Sequence, residues 1–185
     1  MGRLVLLTMV VWAAASAASA AGHQRTSREW GFSLAFPKSL DVCVNGSWHQ
    51  AHGWGASLAG TCSKPRTNRA IIVVANGSFL TKPEEATGCA KPEVSAGAKL
   101  GLSFDGRISA TCRENLPEPE GTILITVVTQ VDVEDAADHS QPGDAAIDYE
   151  AELTTTPAKL KDDLVTFRRV LRSVQIDRPP PTLVR

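Results

Sequence analysis

The run TILITVVTQV, Thr122 to Val131, decides the fold class. All but Leu124 and Gln130 are β-branched, and such side chains crowd a helix but pack well on a pleated sheet. Working outward, Ile147 to Thr155 places Ile147, Tyr149, Ala151 and Leu153 at alternate positions against polar neighbours, the pattern of a strand with one buried face. Ala70 to Ala75 (AIIVVA) reads as a buried strand ended by Asn76-Gly77. Trp30 to Phe36 is a further strand, closed by Pro37, and Leu40 to Val44 another, followed by the turn pair Asn45-Gly46. Lys99 to Phe104 and Arg107 to Arg113 flank Asp105-Gly106, which predicts a hairpin.

After the strands comes one helix. Leu160, Leu164, Phe167 and Leu171 recur at helical spacing, and Val170 and Val174 widen the apolar stripe. Thr156 suits the cap, Pro157 the first helical position, and Asp162 and Asp163 the electropositive half. Arg168, Arg169 and Arg172 complement the carboxyl end of the helix dipole. The expected fold is α+β: an antiparallel sheet of about five to seven strands, a C-terminal amphipathic helix across one face, and two disulfides.

The disulfides follow from the leader. Arg3, the apolar run Leu4 to Ala15 and Ala18-Ser19-Ala20 have the order of a secretory signal peptide cut after Ala20. The expected layout is a signal peptide over 1–20, a lead-in over 21–29, one domain over 30–177 and a Pro-rich tail over 178–185. In an oxidising compartment, periplasmic or extracellular, Cys43, Cys62, Cys89 and Cys112 are expected to pair. Of the three connectivities open to four cysteines, Cys43–Cys62 and Cys89–Cys112 each bracket one compact stretch containing a turn. The chain has no C-x-x-C spacing to favour zinc. The Ala-rich leader suggests a bacterial periplasm. Asn45-Gly46-Ser47 and Asn76-Gly77-Ser78 match the N-glycosylation pattern, and each also reads as a turn.

Gly31-Phe32-Ser33-Leu34 with Phe36-Pro37 near the start, and Leu171-Arg172-Ser173-Val174 at the end of the helix, resemble the two ends of PsbP-like domains. The resemblance implies an antiparallel sheet sandwiched by helices, in a family of mainly accessory or binding proteins without catalytic residues. It covers only the two ends of the chain. Leu40 stands where such domains often carry tryptophan, and the cysteines are not part of the pattern.

Net charge is −1, yet from Glu114 to Ala158 there are eleven acidic residues and no Lys or Arg. Such a block is a solvated surface or a negative face that steers a basic partner; it repels nucleic acid phosphates. Its loop carries Asp132, Glu134, Asp135, Asp138 and Asp144. The oxygen donors Asp132, Glu134, Asp135 and Asp138 would suit calcium, but their spacing departs from the EF-hand.

A second patch, SWHQAHGWG, brings Trp48, His49, His52 and Trp54 together between Cys43 and Cys62. It reads as core packing, as an interface anchor, or, through His49 and His52 with a third ligand such as His139, as a metal site. Gly55-Ala56-Ser57-Leu58-Ala59 falls one glycine short of a nucleophile elbow. Without a phosphate-cradling loop, a dinucleotide fingerprint or a cofactor motif, the sequence points to an exported, non-enzymatic binding protein. Its concrete form is an inhibitor or immunity-type protein engaging a protein partner through Trp48, His49, His52, Trp54 and the acidic loop. An accessory subunit of an envelope complex and a small exported hydrolase are the alternatives. No stable membrane insertion and no cofactor are expected.

Overall fold

The computed structural model describes residues 22–43, 52–60, 62, 69–79, 82–94, 101–104, 106–117, 120–132 and 144–177. The leader over 1–20 and the tail over 178–185 lie outside them.

The elements run β1 (His23–Ser27), β2 (Phe32–Phe36), β3 (Asp41–Cys43), β4 (Gly53–Ser57), β5 (Ala70–Phe79), α1 (Pro83–Ala86), β6 (Glu93–Val94), β7 (Ala110–Leu116), β8 (Thr122–Asp132), β9 (Asp144–Thr155), α2 (Leu160–Ser173) and β10 (Gln175–Ile176). All the strand pairs are antiparallel. They form a small sheet, β1-β2-β10, and a larger one, β3-β4-β5-β9-β8-β7-β6. The chain is therefore mostly antiparallel β-sheet with one long C-terminal helix. Both expected disulfides form, Cys43–Cys62 and Cys89–Cys112.

The alternation expected in β9 holds: Ile147, Tyr149, Ala151 and Leu153 are fully buried. Ile71 and Ile125 stand opposite Leu153 on its two sides, and Val73 and Val127 opposite Ala151. Against this face pack Phe32, Leu34 and Phe36 of β2 and Leu164, Phe167, Val170 and Leu171 of α2, all in one core. Each large apolar side chain so buried contributes about 1.5–3 kcal/mol.

The two ends of the chain meet. Ser173 Oγ accepts the Ala35 N–H (2.9 Å) and lies 3.0 Å from Ala35 O, while β10 pairs with β2.

Three local expectations are corrected. β5 continues through Asn76-Gly77 to Phe79, because Asn76 and Gly77 find ladder partners in Asp148 and Ile147 of the longer β9. Pairing outweighs the turn preference of the dipeptide. Where the hairpin is expected, Arg107 N–H donates to Phe104 O (2.6 Å), but 101–104 and 107–109 are not strand, and Asp105 lies outside the described residues. β7 begins only at Ala110 and pairs instead with β6 and β8. α2 begins at Leu160, with Lys159 at the cap; Thr156 and Pro157 belong to a preceding turn closed by Lys159 N–H to Thr156 O (3.0 Å). Finally, the larger sheet has the seven strands at the top of the expected range, and the described residues add a second, three-stranded sheet, to which the lead-in over 21–29 contributes β1. The Asn45-Gly46 turn lies outside the described residues.

Candidate functional site

β9 is the central strand of the larger sheet, and its even-numbered residues point away from the core. Three in succession are acidic: Asp148, Glu150 and Glu152. The register fixes their neighbours, since directly opposite residues share a face. Glu150 lies between Val128 and Val74, both buried, and Glu152 between Thr126 and Ile72. Extended outward, the Glu152 row reaches Cys112 on one side and Gly55 and Cys43 on the other, so the two disulfides edge this face. Asp148 accepts a hydrogen bond from Gln130 Nε2 (2.8 Å), which also lies 3.3 Å from Ser78 Oγ.

This surrounding acts on Glu150. Burial between valines, with Glu152 and Asp148 as like charges on the same strand face, pushes its carboxyl up to about 7. The group stands near half-protonation at neutral pH, so small changes in cover or counter-charge switch it. A carboxyl whose folded pKa lies above its unfolded value favours folding below the unfolded pKa, and that contribution is lost as pH rises through the folded one. The wild-type chain is expected to lose up to about 3 kcal/mol between pH 4.5 and 8 from this group. Glu150→Gln should flatten that decline; urea midpoints at pH 5 and pH 8 that fall equally in both proteins would contradict it.

The sequence-predicted site residues divide. Trp54 is half-buried and packs its ring on Phe32 (5.3 Å between centroids), so it serves the core. His52 is half-buried; its carbonyl accepts Ala75 N–H (3.0 Å), its ring lies 4.4 Å from that of Trp30, and its Nδ1 is buried without a hydrogen-bond partner. Asp132 is exposed at the end of β8, and Asp144 begins β9. Trp48, His49, Glu134, Asp135, Asp138 and His139 lie outside the described residues.

The register places the two segments' flanks in different rows of the larger sheet. Cys43 and Gly53, which bracket one segment, lie in the Glu152 and Glu150 rows, whereas Asp132, which flanks the other, lies in the Ala146 row with Asp144 beyond it. β4 and β8 are separated by β5 and β9, about 14 Å across the sheet, and the Gly53 and Asp132 rows lie four residues, about 13 Å, apart along the strands. Gly53 lets β4 lie close against β5: a Cβ there would meet Val73 O at 2.0 Å.

Three sets of polar groups lie beyond what the sequence pattern indicates. One is Tyr149, fully buried, whose hydroxyl donates to Trp30 O (2.7 Å) and whose burial raises its pKa to about 12. The others are the Arg69–Asp163–Thr155 network and Arg107, whose buried Nε and Nη2 lack partners. Asp163 had a signal, since it lies within the apolar stripe of α2; Arg107 had none.

Ser57 is interior strand, its hydroxyl accepting Ala59 N–H (3.2 Å). Among the described residues, the one His/Cys/Asp/Glu grouping with metal-like spacing is Cys89, Cys112 and Glu114, and its sulfurs are joined in a disulfide. No described helix is long and apolar enough to cross a membrane.

No family model matches the sequence, and no curated protein is found similar to it. The fold is similar to a crystal structure from Bacteroides thetaiotaomicron, with a TM-score of 0.52 and 11% identity. The match covers 86% of this chain and 50% of that one, so this chain spans about half the length of that protein, and the likeness concerns the fold alone.

Proposed function

We propose that this chain is an exported, disulfide-stapled binding protein that engages a basic protein partner through the acidic end of its larger sheet, as a periplasmic inhibitor or immunity-type protein does. The observation that carries the reading is the common placement of acidic positions: Asp132 and Asp144 at one sheet end, running into Asp148, Glu150 and Glu152 along the central strand. A negative field of this kind raises encounter rates with a cationic surface and excludes like-charged competitors. The disulfides suit an oxidising compartment. The resemblance of the chain's two ends to PsbP-like domains, a family rich in accessory and binding proteins, favours the same class.

The test is a pull-down from exported-protein extract, using disulfide-intact mature protein beside an Asp132→Lys/Asp144→Lys variant. Wild type is expected to recover a basic protein that moderate salt releases, and the double reversal should weaken its capture by about tenfold and flatten the salt dependence. Equal capture by both proteins would refute the acidic end as the contact.

A further inference from the structure

The core-facing side of the larger sheet around Tyr149 holds a second set of polar atoms, and their chemistry is opposite in sign. Tyr149 stands between Thr129 and Ala75 in the register. On the Ala75 side is His52, and Trp30 covers the corner, its carbonyl on the Tyr149 hydroxyl and its ring against His52. On the Thr129 side, the Thr129 hydroxyl donates to Ile108 O (2.9 Å) and is hydrogen-bonded to Ser109 Oγ. Ser109 Oγ in turn accepts Phe104 N–H (3.3 Å) and lies 3.2 Å from Arg107 O. The backbone carrying Arg107 is therefore pinned to the β8 position opposite Tyr149, and the charge of Arg107 acts on the Tyr149 hydroxyl.

Arg107 Nε and Nη2 are buried and make no hydrogen bond. In the same corner, Trp30 Nε1 and His52 Nδ1 are also buried without partners. Native interiors leave few such groups unpaired, and a guanidinium is the costliest to leave so. The pair of nitrogens is informative. Nε and Nη2 form the edge of the guanidinium whose two N–H bonds run side by side, the edge that takes both oxygens of a carboxylate. Elsewhere in this chain the same edge does so: Arg69 Nε and Nη2 hold the two oxygens of Asp163.

We propose that the Arg107 corner is a binding site for a small carboxylate ligand, which the Nε/Nη2 edge of Arg107 grips side-on. A monoanion fits better than a phosphate dianion, because one guanidinium supplies the positive charge and Asp177 adds a negative one nearby. This site is distinct from the acidic rim and takes a ligand of the opposite charge.

The test measures thermal stability of the disulfide-intact mature protein at pH 7 and fixed ionic strength, titrating sodium acetate against sodium chloride, with sodium phosphate as a separate arm. Acetate is expected to raise Tm saturably over chloride. Arg107→Lys, which keeps the charge but loses the fork, should weaken the acetate Kd about tenfold, and Arg107→Met should abolish the saturable rise. In chloride, Arg107→Met should be no less stable than wild type, since it removes a half-buried guanidinium whose Nε and Nη2 are enclosed and unpaired; this separates loss of the site from loss of the fold. No saturable difference between acetate and chloride would overturn the proposal, as would an acetate effect retained in Arg107→Met. A rise with phosphate but not acetate would overturn the assignment to a carboxylate.

Discussion

Asp163→Ala is expected to cost about 3–5 kcal/mol, because it breaks a buried ion pair from its more buried side. The Asp163 side chain is 3% exposed and that of Arg69 25%. Arg69 Nε donates to Asp163 Oδ2 (2.7 Å), Arg69 Nη2 to Oδ1, and the buried Thr155 hydroxyl to Oδ2. These three residues come from the chain just before β5, the end of β9 and the first turn of α2, so one carboxylate ties the helix to two neighbouring strands. The hydrogen bond to Asp163 raises the Arg69 pKa further, against the lowering effect of burial. Removing the carboxylate leaves Thr155 unsatisfied in the interior and Arg69 with only partial access to water. Asp163→Asn, which keeps an oxygen for Thr155 and loses the charge, should cost less than the alanine variant. Urea unfolding at pH 7 measures both, and a loss under about 1 kcal/mol for Asp163→Ala would show that the network is not a tie. A double-mutant cycle with Arg69→Met should return a coupling of about 1 kcal/mol or more, because the partners do not act independently.

That carboxylate also shows where sequence reading succeeded and stopped. Asp163 falls at helical spacing with Phe167, Val170 and Val174, so a charge on the buried stripe was visible. It was read as a dipole partner because its cation, Arg69, lies 94 residues away in the chain. The same boundary runs through the rest. Strand existence was legible wherever β-branching and alternation coincide, as in β8 and β9. β1 (HQRTS) has no apolar alternation and exists because β2 offers it an edge. Asn76-Gly77 carried a turn signal, overridden by the ladder that β9 supplies. The acidic block was plain in the sequence, but its sharpest member was not. Glu150 becomes unusual only between Val74 and Val128, neighbours that no local pattern reveals. Arg107 is a more extreme case, since a lone arginine in a turn gives no hint that its donors are enclosed.

Removing both disulfides is expected to take the chain to the edge of unfolding. The bridges span 19 and 23 residues, and loops of that size confine the unfolded chain by about 3 kcal/mol each. Together that is about 6 kcal/mol, against a total of about 5–15 for an ordinary domain. The two bridges should differ in kind. Cys89–Cys112 anchors the chain between α1 and β6 to β7, where β6 contributes only the pairs Glu93–Thr111 and Val94–Ala110. Its loss through Cys89→Ala/Cys112→Ala should raise amide exchange first across 82–94, because among the described residues that stretch is otherwise held by two ladder pairs of β6 and by the packing of the short α1 on β7 and β8. Cys43–Cys62 ties β3, a three-residue edge strand, to the chain between β4 and β5, and its loss should free β3 while β5, β8 and β9 stay protected. Urea midpoints and hydrogen exchange on the two paired variants and on the fully reduced chain measure these effects. A reduced chain within about 1 kcal/mol of the oxidised one would mean that the staples are dispensable, and would weaken the case that this sequence is built for an oxidising compartment. A reduced chain that unfolds near physiological temperature would make export a condition of folding, so that only the exported protein could present the acidic end of its sheet to a partner.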